Sequence, residues 1–164
     1  MALYLTIVIQ FLALLGVANG TPVVMKKLMG QTMSWPLDFG LLFLDGRLVL
    51  GKSKTIRGVV SSVIMTSLAA SLIGFPLRFG ALVAVAAMGG DLISSFTKRR
   101  LGMVTSSMAL GLDQIPESLL PAIVCRSIAP LTTLDIVAIT CLFLVGELLL
   151  SRVLYVLKLR DQPY

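Results

Sequence analysis

Three acidic residues lie close to runs of lysine and arginine, in a pattern that favours phosphate chemistry. Asp91 precedes Lys98 by seven residues, with two serines between them. On a helix this spacing places all of these side chains on one face, with Asp91 about 10 Å along the axis from Lys98. Asp113 and Glu117 are four residues apart and would also share a helix face. Carboxylates on two helices are typical of a Mg²⁺ site that substrate phosphates complete.

Each acidic residue also has a simpler structural interpretation, which the sequence leaves open. Asp91 could do no more than pair with a lysine or an arginine. Asp113 suits the N-cap of a helix that has Pro116 in its first turn. We expect Asp135 to be a solvated or capping residue, and Glu147 to have a structural role beside a buried cation.

The composition of the chain excludes several classes of protein. Of its 164 residues, 57% are hydrophobic and 13% are charged, with a mean hydropathy of +0.96. Soluble domains have about 45–50% apolar and about 25% charged residues, so this chain is predicted to be an integral membrane protein. A disordered chain and a soluble nucleic-acid-binding domain are excluded. Histidine is absent, and Cys125 and Cys141 stand alone in apolar runs, so we expect no histidine catalysis, zinc site or structural disulfide.

Hydrophobic segments of membrane-spanning length predict an all-α fold. A crossing needs about 20 residues, so the chain has room for about five spans, and we expect one transmembrane catalytic domain, residues 1–164. The first span has the position of a secretory signal, but no lysine or arginine precedes it, and we interpret it as a retained helix. The predicted spans are Leu3–Ala18, Val59–Leu77, Phe79–Phe96, Gln114–Ala129 and Leu131–Leu157.

The basic residues predict how these spans are oriented. With five spans, eleven of the fourteen lysines and arginines would lie on one side of the membrane. The positive-inside rule then puts the N-terminus outside and the C-terminus in the cytoplasm, with long cytoplasmic connections after the first and third spans. The eleven residues are Lys26, Lys27, Arg47, Lys52, Lys54, Arg57, Lys98, Arg99, Arg100, Lys158 and Arg160.

Residues Gly46–Ser53 match the phosphate-loop pattern G-x-x-x-x-G-K-[ST]. Such a loop joins a strand to a helix in an α/β domain, and the connection between the first two spans has no room for that domain. We therefore interpret the match as a coincidence. A loop rich in glycine and lysine can still offer backbone N–H groups and cations to a phosphate.

Several short segments occur together in an order and spacing that resemble one family. They are Asn19-Gly-Thr-Pro-Val23, Pro36-Leu-Asp-Phe-Gly40, Asp45-Gly-Arg47, Gly51-Lys-Ser-Lys-Thr-Ile-Arg-Gly58, Gly90-Asp91, Ser95-Phe-Thr-Lys-Arg-Arg-Leu-Gly102 and Leu112-Asp-Gln114. Taken together, they are similar to the CDP-archaeol synthase family, small membrane enzymes related to the CDP-diacylglycerol synthases. The chain length and the five-span layout also agree with that family.

The resemblance implies a Mg²⁺-dependent cytidylyltransferase of phospholipid biosynthesis, in which CTP and a lipid phosphate form a CDP-lipid and pyrophosphate. It implies that Asp91 and Asp113 bind the metal and that Lys98 joins them as a catalytic residue. The family pattern has a second aspartate at the position of Pro116, so we expect Glu117 to replace it as a metal ligand. Nucleotide and phosphate binding would fall to the matching residues Asn19, Asp45, Arg47, Lys54, Arg57, Arg99 and Arg100.

This chemistry also agrees with the residues when no family is considered. A nucleoside triphosphate and a lipid phosphate are both anions, so a site for them needs several cations and a metal ion. The second pKa of a phosphate monoester is about 6, so the attacking phosphate is already ionised and needs no histidine or other general base. Attack on the α-phosphorus of CTP should then depend on positioning and charge neutralisation alone.

We therefore expect CTP, a membrane lipid phosphate and the bilayer as partners, with no nucleic acid, and we leave homo-oligomerisation open. The expected location is the cell membrane, with the active site facing the cytoplasm. An alternative is a small cation-coupled transporter or channel that uses Asp91 and Asp113. A third interpretation, a subunit that binds anionic lipids, explains the basic residues but not these two aspartates.

Overall fold

Five helices make up the regular structure of the chain. The computed structural model describes residues 4–105 and 107–156, with side chains described as far as Arg152. Within these residues there is no β-strand, only two isolated β-bridges, so the all-α prediction is confirmed. The helices are α1 (Leu5–Met29), α2 (Ile56–Leu72), α3 (Leu77–Arg100), α4 (Gln114–Cys125) and α5 (Thr133–Val156).

The lengths of the helices agree with an integral membrane protein. Among the described residues, three helical segments are long and apolar enough to cross a bilayer: Leu5–Met29, Leu77–Arg100 and Thr133–Arg152. Helix α2 is apolar but has 17 residues, and α4 has 12, which corresponds to about 18 Å. Helix α4 therefore ends at Cys125 and not at the predicted Ala129. The predicted limits Leu3 and Leu157, with Lys158 and Arg160, lie outside the described residues.

Helix α1 extends farther than the apolar pattern predicted. It continues past Ala18 to Met29, with Pro22 inside it, so Lys26 and Lys27 lie in its last turn. These two lysines were predicted to belong to the connection between spans. In this position their positive charges complement the negative C-terminal end of the helix dipole, and the helix fixes where both residues lie along its axis.

Helix α3 occupies the centre of the bundle and packs against α1, α2 and α4. Small residues on α3 permit this close packing, as is usual between helices in membranes. Gly80 is an example, because a Cβ atom there would lie 2.7 Å from the Cα atom of Ser67 in α2. The tightly packed centre fixes the relative positions of the side chains at the ends of α1, α2, α3 and α4.

The connection between α1 and α2, called loop one here (residues 30–55), folds around the buried carboxylate of Asp38. Its two oxygens accept hydrogen bonds from the backbone amides of Gly40, Leu50 and Gly51, at 3.1, 2.8 and 3.2 Å. Burial alone would raise the pKa of Asp38, but these amide donors outweigh it and hold the pKa below its ordinary value. Loop one is therefore held in a defined conformation from within.

The N-terminal ends of two helices are capped by threonine side chains. Thr55 Oγ1 accepts a hydrogen bond from the backbone amide of Gly58 and begins α2. At the start of α5, Thr132 and Asp135 bond to each other's backbone amides, which is a capping box. Asp135 also accepts a bond from the backbone amide of Tyr4 before α1. The predicted capping role of Asp135 is confirmed, and its carboxylate is buried, not solvated.

Candidate active site

A cavity of about 400 Å³ opens between the end of α1, loop one, the start of α2 and the second half of α3. Four cationic side chains line it, together with the carboxylate of Asp91. Apolar side chains from all three helices complete the lining, so the cavity has both charged and apolar surface. The cations are Lys26, Lys52, Lys54 and Arg57, and the apolar residues include Pro22, Val59, Met88 and Leu92.

Lys54 and Asp91 form a close ion pair in the wall of this cavity. The ammonium nitrogen of Lys54 lies 2.5 and 2.6 Å from the two carboxylate oxygens of Asp91, and about a fifth of each side chain is exposed. The backbone of Lys54 is fixed at the same time, since its carbonyl oxygen accepts the amide of Leu37 at 2.7 Å. The structure thus brings together a residue predicted to bind nucleotide and one predicted to bind metal.

The carboxyl group of Glu117 lies near that of Asp91 and interacts with it, and Glu117 is buried. The reason is a close helix contact: a Cβ atom on Gly90 would lie 2.7 Å from the Glu117 amide nitrogen, and closer to the Pro116 carbonyl group. Two neighbouring carboxylates favour a cation near them, because like charges repel strongly in a dry environment. Because Gly90 has no side chain, the first turn of α4 can pack closely against α3 next to Asp91.

Glu147 in α5 is a functional candidate that the sequence interpretation placed among structural residues. Its charge interacts with that of Glu117, so α5 contributes an acid that faces the first turn of α4. The available signal was its position within an apolar span, where an ionisable residue is costly and usually has a role. Its pairing with α4 depends on how the helices pack, which the sequence pattern of α5 does not contain.

Asp113 and Lys98 form a second ion pair, separate from the first. Lys98 Nζ lies 2.7 Å from Asp113 Oδ1 and donates to the carbonyl oxygen of Ser107 at 2.9 Å. Asp113 occupies the N-cap position of α4, but its side chain makes no capping bond there and accepts the amide of Ala109 instead. The structure places Asp113 against Lys98 and not against the Asp91–Glu117 pair.

Arg99 binds the segment that follows α3. Its guanidinium donates to Thr105 Oγ1 at 3.0 Å and to the Val104 carbonyl oxygen at 2.8 Å. Thr105 in turn lines the cavity and would lie 3.3 Å from a Cβ atom on Gly51. Arg99 therefore shapes the cavity wall through its neighbours, although it does not line the cavity itself.

Arg100 and Arg47 clamp loop one to the end of α3. Arg100 donates to Asp45 Oδ1 and to the Leu48 carbonyl oxygen, each at 2.6 Å, and lies over the ring of Phe43. Arg47 returns a hydrogen bond of 2.8 Å to the carbonyl oxygen of Arg100. In this structure the two arginines and Asp45 contact protein groups and lie outside the cavity lining.

The remaining two predicted residues come from α1 and α2. Arg57 lines the cavity while its guanidinium contacts the carbonyl oxygens of Gly30 and Thr32, which closes the end of α1 onto α2. Asn19 donates to the Leu15 carbonyl oxygen within α1, at 3.2 Å, and is not among the residues that line the cavity.

Lys26 and Lys52 line the cavity, although the sequence interpretation used them only for orientation and for the phosphate-loop match. Lys52 and Ser53 belong to the segment Gly46–Ser53, which lies in loop one with no strand before it in the described chain. That segment is therefore not a phosphate loop of an α/β domain, but it does supply a lysine and a hydroxyl group to the cavity. The basic character of the segment was a usable signal for both lysines.

The acidic residues fit a magnesium ion only in combination with a substrate. No group of three or more Asp, Glu, His or Cys side chains forms a complete metal site in the part of the chain that the structure describes. The adjoining carboxyl groups of Asp91 and Glu117 nevertheless form a hard oxygen donor pair. Mg²⁺ is usually bound by one or two carboxylates together with substrate phosphates, so this donor set suits it.

The sequence as a whole matches a family model. The model described as CarS-like CDP-archaeol synthase matches residues 3–164. The chain belongs to the CDP-archaeol synthase family. The resemblance seen in the short segments is confirmed. The match extends beyond those segments on both sides, from residue 3 to residue 164.

Individual members of the CDP-archaeol synthase family agree with this assignment. The CDP-archaeol synthase of Thermofilum pendens is 32% identical over 156 residues, which cover 90% of this chain and 76% of the relative. That of Pyrobaculum calidifontis is 34% identical over 157 residues, with 90% and 91% covered. A solved structure described as an intramembrane enzyme for archaeal membrane lipids biosynthesis superimposes with a TM-score of 0.69, at 28% identity, over 84% of this chain and 90% of that chain. This family member is therefore a membrane enzyme, a CTP-dependent cytidylyltransferase of lipid synthesis.

Proposed function

We propose that this enzyme transfers CMP from CTP to the phosphate group of a membrane lipid, giving a CDP-lipid and pyrophosphate, with Mg²⁺ as cofactor. The observation that carries the proposal is the Lys54–Asp91 ion pair, which lies in the wall of a cavity with three further cations. The name of the relatives favours archaeol phosphate, an ether lipid, over a diacyl phosphatidic acid. The whole chain acts as one catalytic domain.

The charges of the cavity suit the two substrates. CTP and a lipid phosphate repel each other, and Lys26, Lys52, Lys54 and Arg57 in the cavity lining offset that repulsion. The apolar residues of the lining suit the glycerol end of a lipid, whose chains remain in the bilayer. A cavity with both characters allows a water-soluble and a lipid substrate to meet.

The reaction needs no proton transfer by the enzyme. An ionised oxygen of the lipid phosphate attacks the α-phosphorus of CTP, and the bond from that phosphorus to the oxygen bridging to the β-phosphate breaks. The electron pair leaves with pyrophosphate, so charge and atoms balance without a general base. The side chains accelerate the reaction by holding the two phosphates in line and by neutralising their charge.

Asp91 and Glu117 would hold the magnesium ion. Asp113 would either join them as a further ligand or hold the side chain of Lys98 in position for the substrate phosphates. When bound, the ion supplies charge neutralisation on the phosphates of CTP. Lys54 contacts Asp91 in the structure described above and would contact a substrate phosphate when the carboxylate has another cation near it. Lys98, Arg99 and Arg100 are proposed to serve the same phosphates, with Arg47, Asp45 and Asn19 positioning the segments around them.

The cavity is proposed to face the cytoplasm, with the N-terminus outside and the C-terminus inside. The end of α1, the start of α2, the end of α3 and the start of α4 lie on one side of the bundle, together with most of the lysines and arginines. The positive-inside rule makes this the cytoplasmic side, where CTP is available.

A panel of substrates tests the function. Purified enzyme in lipid nanodiscs receives CTP, Mg²⁺ and either archaeol phosphate, a diacyl phosphatidic acid or unphosphorylated archaeol. We expect pyrophosphate and a CDP-lipid, identified by mass spectrometry, with the lipid phosphates and none with archaeol. ATP and GTP serve as controls for the base, and EDTA as the control for the metal. The absence of product with every lipid phosphate would exclude the proposed reaction.

A further inference from the structure

Loop one presents large apolar side chains to its surroundings, which is unusual for a polar connection between helices. The side chain of Leu44 is 97% exposed, and its neighbours are exposed to a lesser degree. Exposed apolar clusters of this kind mark a surface that another molecule or a membrane covers. The large apolar residues exposed between positions 35 and 44 are Trp35, Phe39, Leu41, Leu42, Phe43 and Leu44.

This arrangement is built into the loop and does not result from loose packing. The polar residue Asp38 lies inside, 7% exposed, and binds three backbone amides, while the apolar residues around it lie outside. The loop is also clamped to α3 by Arg100 and Arg47. Turning the apolar side chains inward would break these contacts, so the loop keeps them outward.

The position of the loop indicates what covers the apolar cluster. Loop one joins the ends of two apolar helices, and the Trp35 carbonyl oxygen accepts the amide of Ile56, the first residue of α2, at 3.1 Å. Trp35 therefore lies at the level where α2 begins. Tryptophan is enriched at the boundary between lipid chains and headgroups, and Lys26 and Lys27 at the end of α1 suit anionic headgroups.

We propose that residues 35–44 of loop one insert into the boundary between headgroups and acyl chains of the leaflet next to the cavity. A second copy of this chain is the alternative occupant, which the experiment below separates from the bilayer. Lys52 and Lys54 follow the inserted segment within the same loop. Insertion therefore holds these two lysines of the cavity lining at the depth of lipid phosphate groups.

The native protein carries its own reporter, because Trp35 is its single tryptophan. Wild-type enzyme is placed in nanodiscs at one copy per disc, with lipids brominated either near the glycerol end or near the methyl end of the acyl chain. We expect strong quenching of Trp35 fluorescence by the first lipid, weaker quenching by the second, and weak quenching by acrylamide in the water phase. The variant W35F/I64W, with its tryptophan in the exposed middle of α2, is the matched control and should be quenched more by the deeper bromine.

Two results would overturn the inference. Strong acrylamide quenching of Trp35 without quenching by either brominated lipid would place the loop in water. Protection from acrylamide that appears only when two copies share a disc would assign the apolar cluster to a second copy. Neither result depends on the reaction, and a failure of the cytidylyltransferase assay would leave the fluorescence result unchanged.

Discussion

Lys54 places its ammonium nitrogen 2.5 Å from one carboxylate oxygen of Asp91 and 2.6 Å from the other. The two residues are 37 positions apart and come from loop one and α3. The pair is accessible from the cavity, with about a fifth of each side chain exposed. The ion pair connects the cations that line the cavity with the acidic residues Asp91 and Glu117 on α3 and α4, and the proposed chemistry depends on that connection.

Replacing Asp91 by asparagine should lower kcat by about 100-fold or more, because a metal ligand and charge partner is lost without a change of shape. We expect the variant to remain folded, since the pair is partly exposed and asparagine can still accept a bond from Lys54. Pyrophosphate release and the melting temperature in detergent are the measurements. A folded variant with the wild-type rate would exclude Asp91 from the site.

Replacing Lys26 by alanine should raise the KM for CTP about tenfold, which corresponds to the loss of one charge-assisted contact worth about 1.4 kcal/mol. Lys27 is the matched control, since it is the adjacent lysine, is also exposed and does not line the cavity. Both variants lose the same net charge. An equal effect in the two would show that the overall positive potential matters and that no specific contact at Lys26 is involved.

Replacing Gly90 by alanine should destabilise the protein by about 1–3 kcal/mol, because the new Cβ atom would collide with the backbone of Pro116 and Glu117. Activity should fall with it as Glu117 moves away from Asp91. Gly89 is the matched control: its Cβ atom would meet only Leu120 Cδ2, at 3.6 Å, and alanine favours the helix by about 1 kcal/mol. Thermal melts in detergent compare the two. Equal melting temperatures would contradict the close contact.

Replacing Glu117 by glutamine should raise the Mg²⁺ concentration that gives half-maximal activity by about 10–100-fold. Replacing it by aspartate should cost less, since a carboxylate is kept. The measurement is a magnesium titration of pyrophosphate release at saturating CTP. If the glutamine variant titrates like the wild type, the second carboxylate of the metal site must come from another residue, and Asp113 becomes the first candidate.

The pH dependence of loop one follows from Asp38. Its pKa in the folded loop is below the ordinary value, so folding favours the ionised form. This contribution to loop stability is complete above about pH 4, the ordinary value for aspartate, and is lost as the pH falls through the lowered pKa. Pepsin cleavage within residues 36–55 should therefore increase at the lowest pH values. In the variant Asp38→Asn the rate of cleavage, corrected for the activity of pepsin, should be the same at each pH. If the pH dependence persists in this variant, a group other than Asp38 causes it.

Much of the fold was predictable because it depends on local properties. The apolar runs that became α3 and α5, and the placement of Asp91 and Lys98 on α3, follow from composition and helical spacing. The end of α1 was wrong by eleven residues, because Lys26 and Lys27 were predicted to belong to the connection after the first span, whereas they continue the helix. Helix packing overrides such local signals.

The structure of loop one was less predictable than that of the helices. Its conformation depends on Asp38, whose hydrogen-bond partners Leu50 and Gly51 lie twelve and thirteen positions away. Sequence spacing gives no measure of such contacts. The segment containing Lys52 was interpreted as a coincidental phosphate-loop match that could still offer cations to a phosphate, and its place in the cavity lining was not predicted.

Composition and the order of charged residues were sufficient to indicate a membrane protein with acids and cations at one end of its helices, and the resemblance of the short segments to a known family indicated an enzyme. Those properties are carried by single residues and by spacings of three to seven positions. The choice of partners was decided by tertiary structure: Lys54 pairs with Asp91, Asp113 pairs with Lys98, and Gly90 admits α4 so that Glu117 reaches Asp91. Each of these contacts joins separate elements, and its geometry depends on close packing in three dimensions, which a linear pattern does not record.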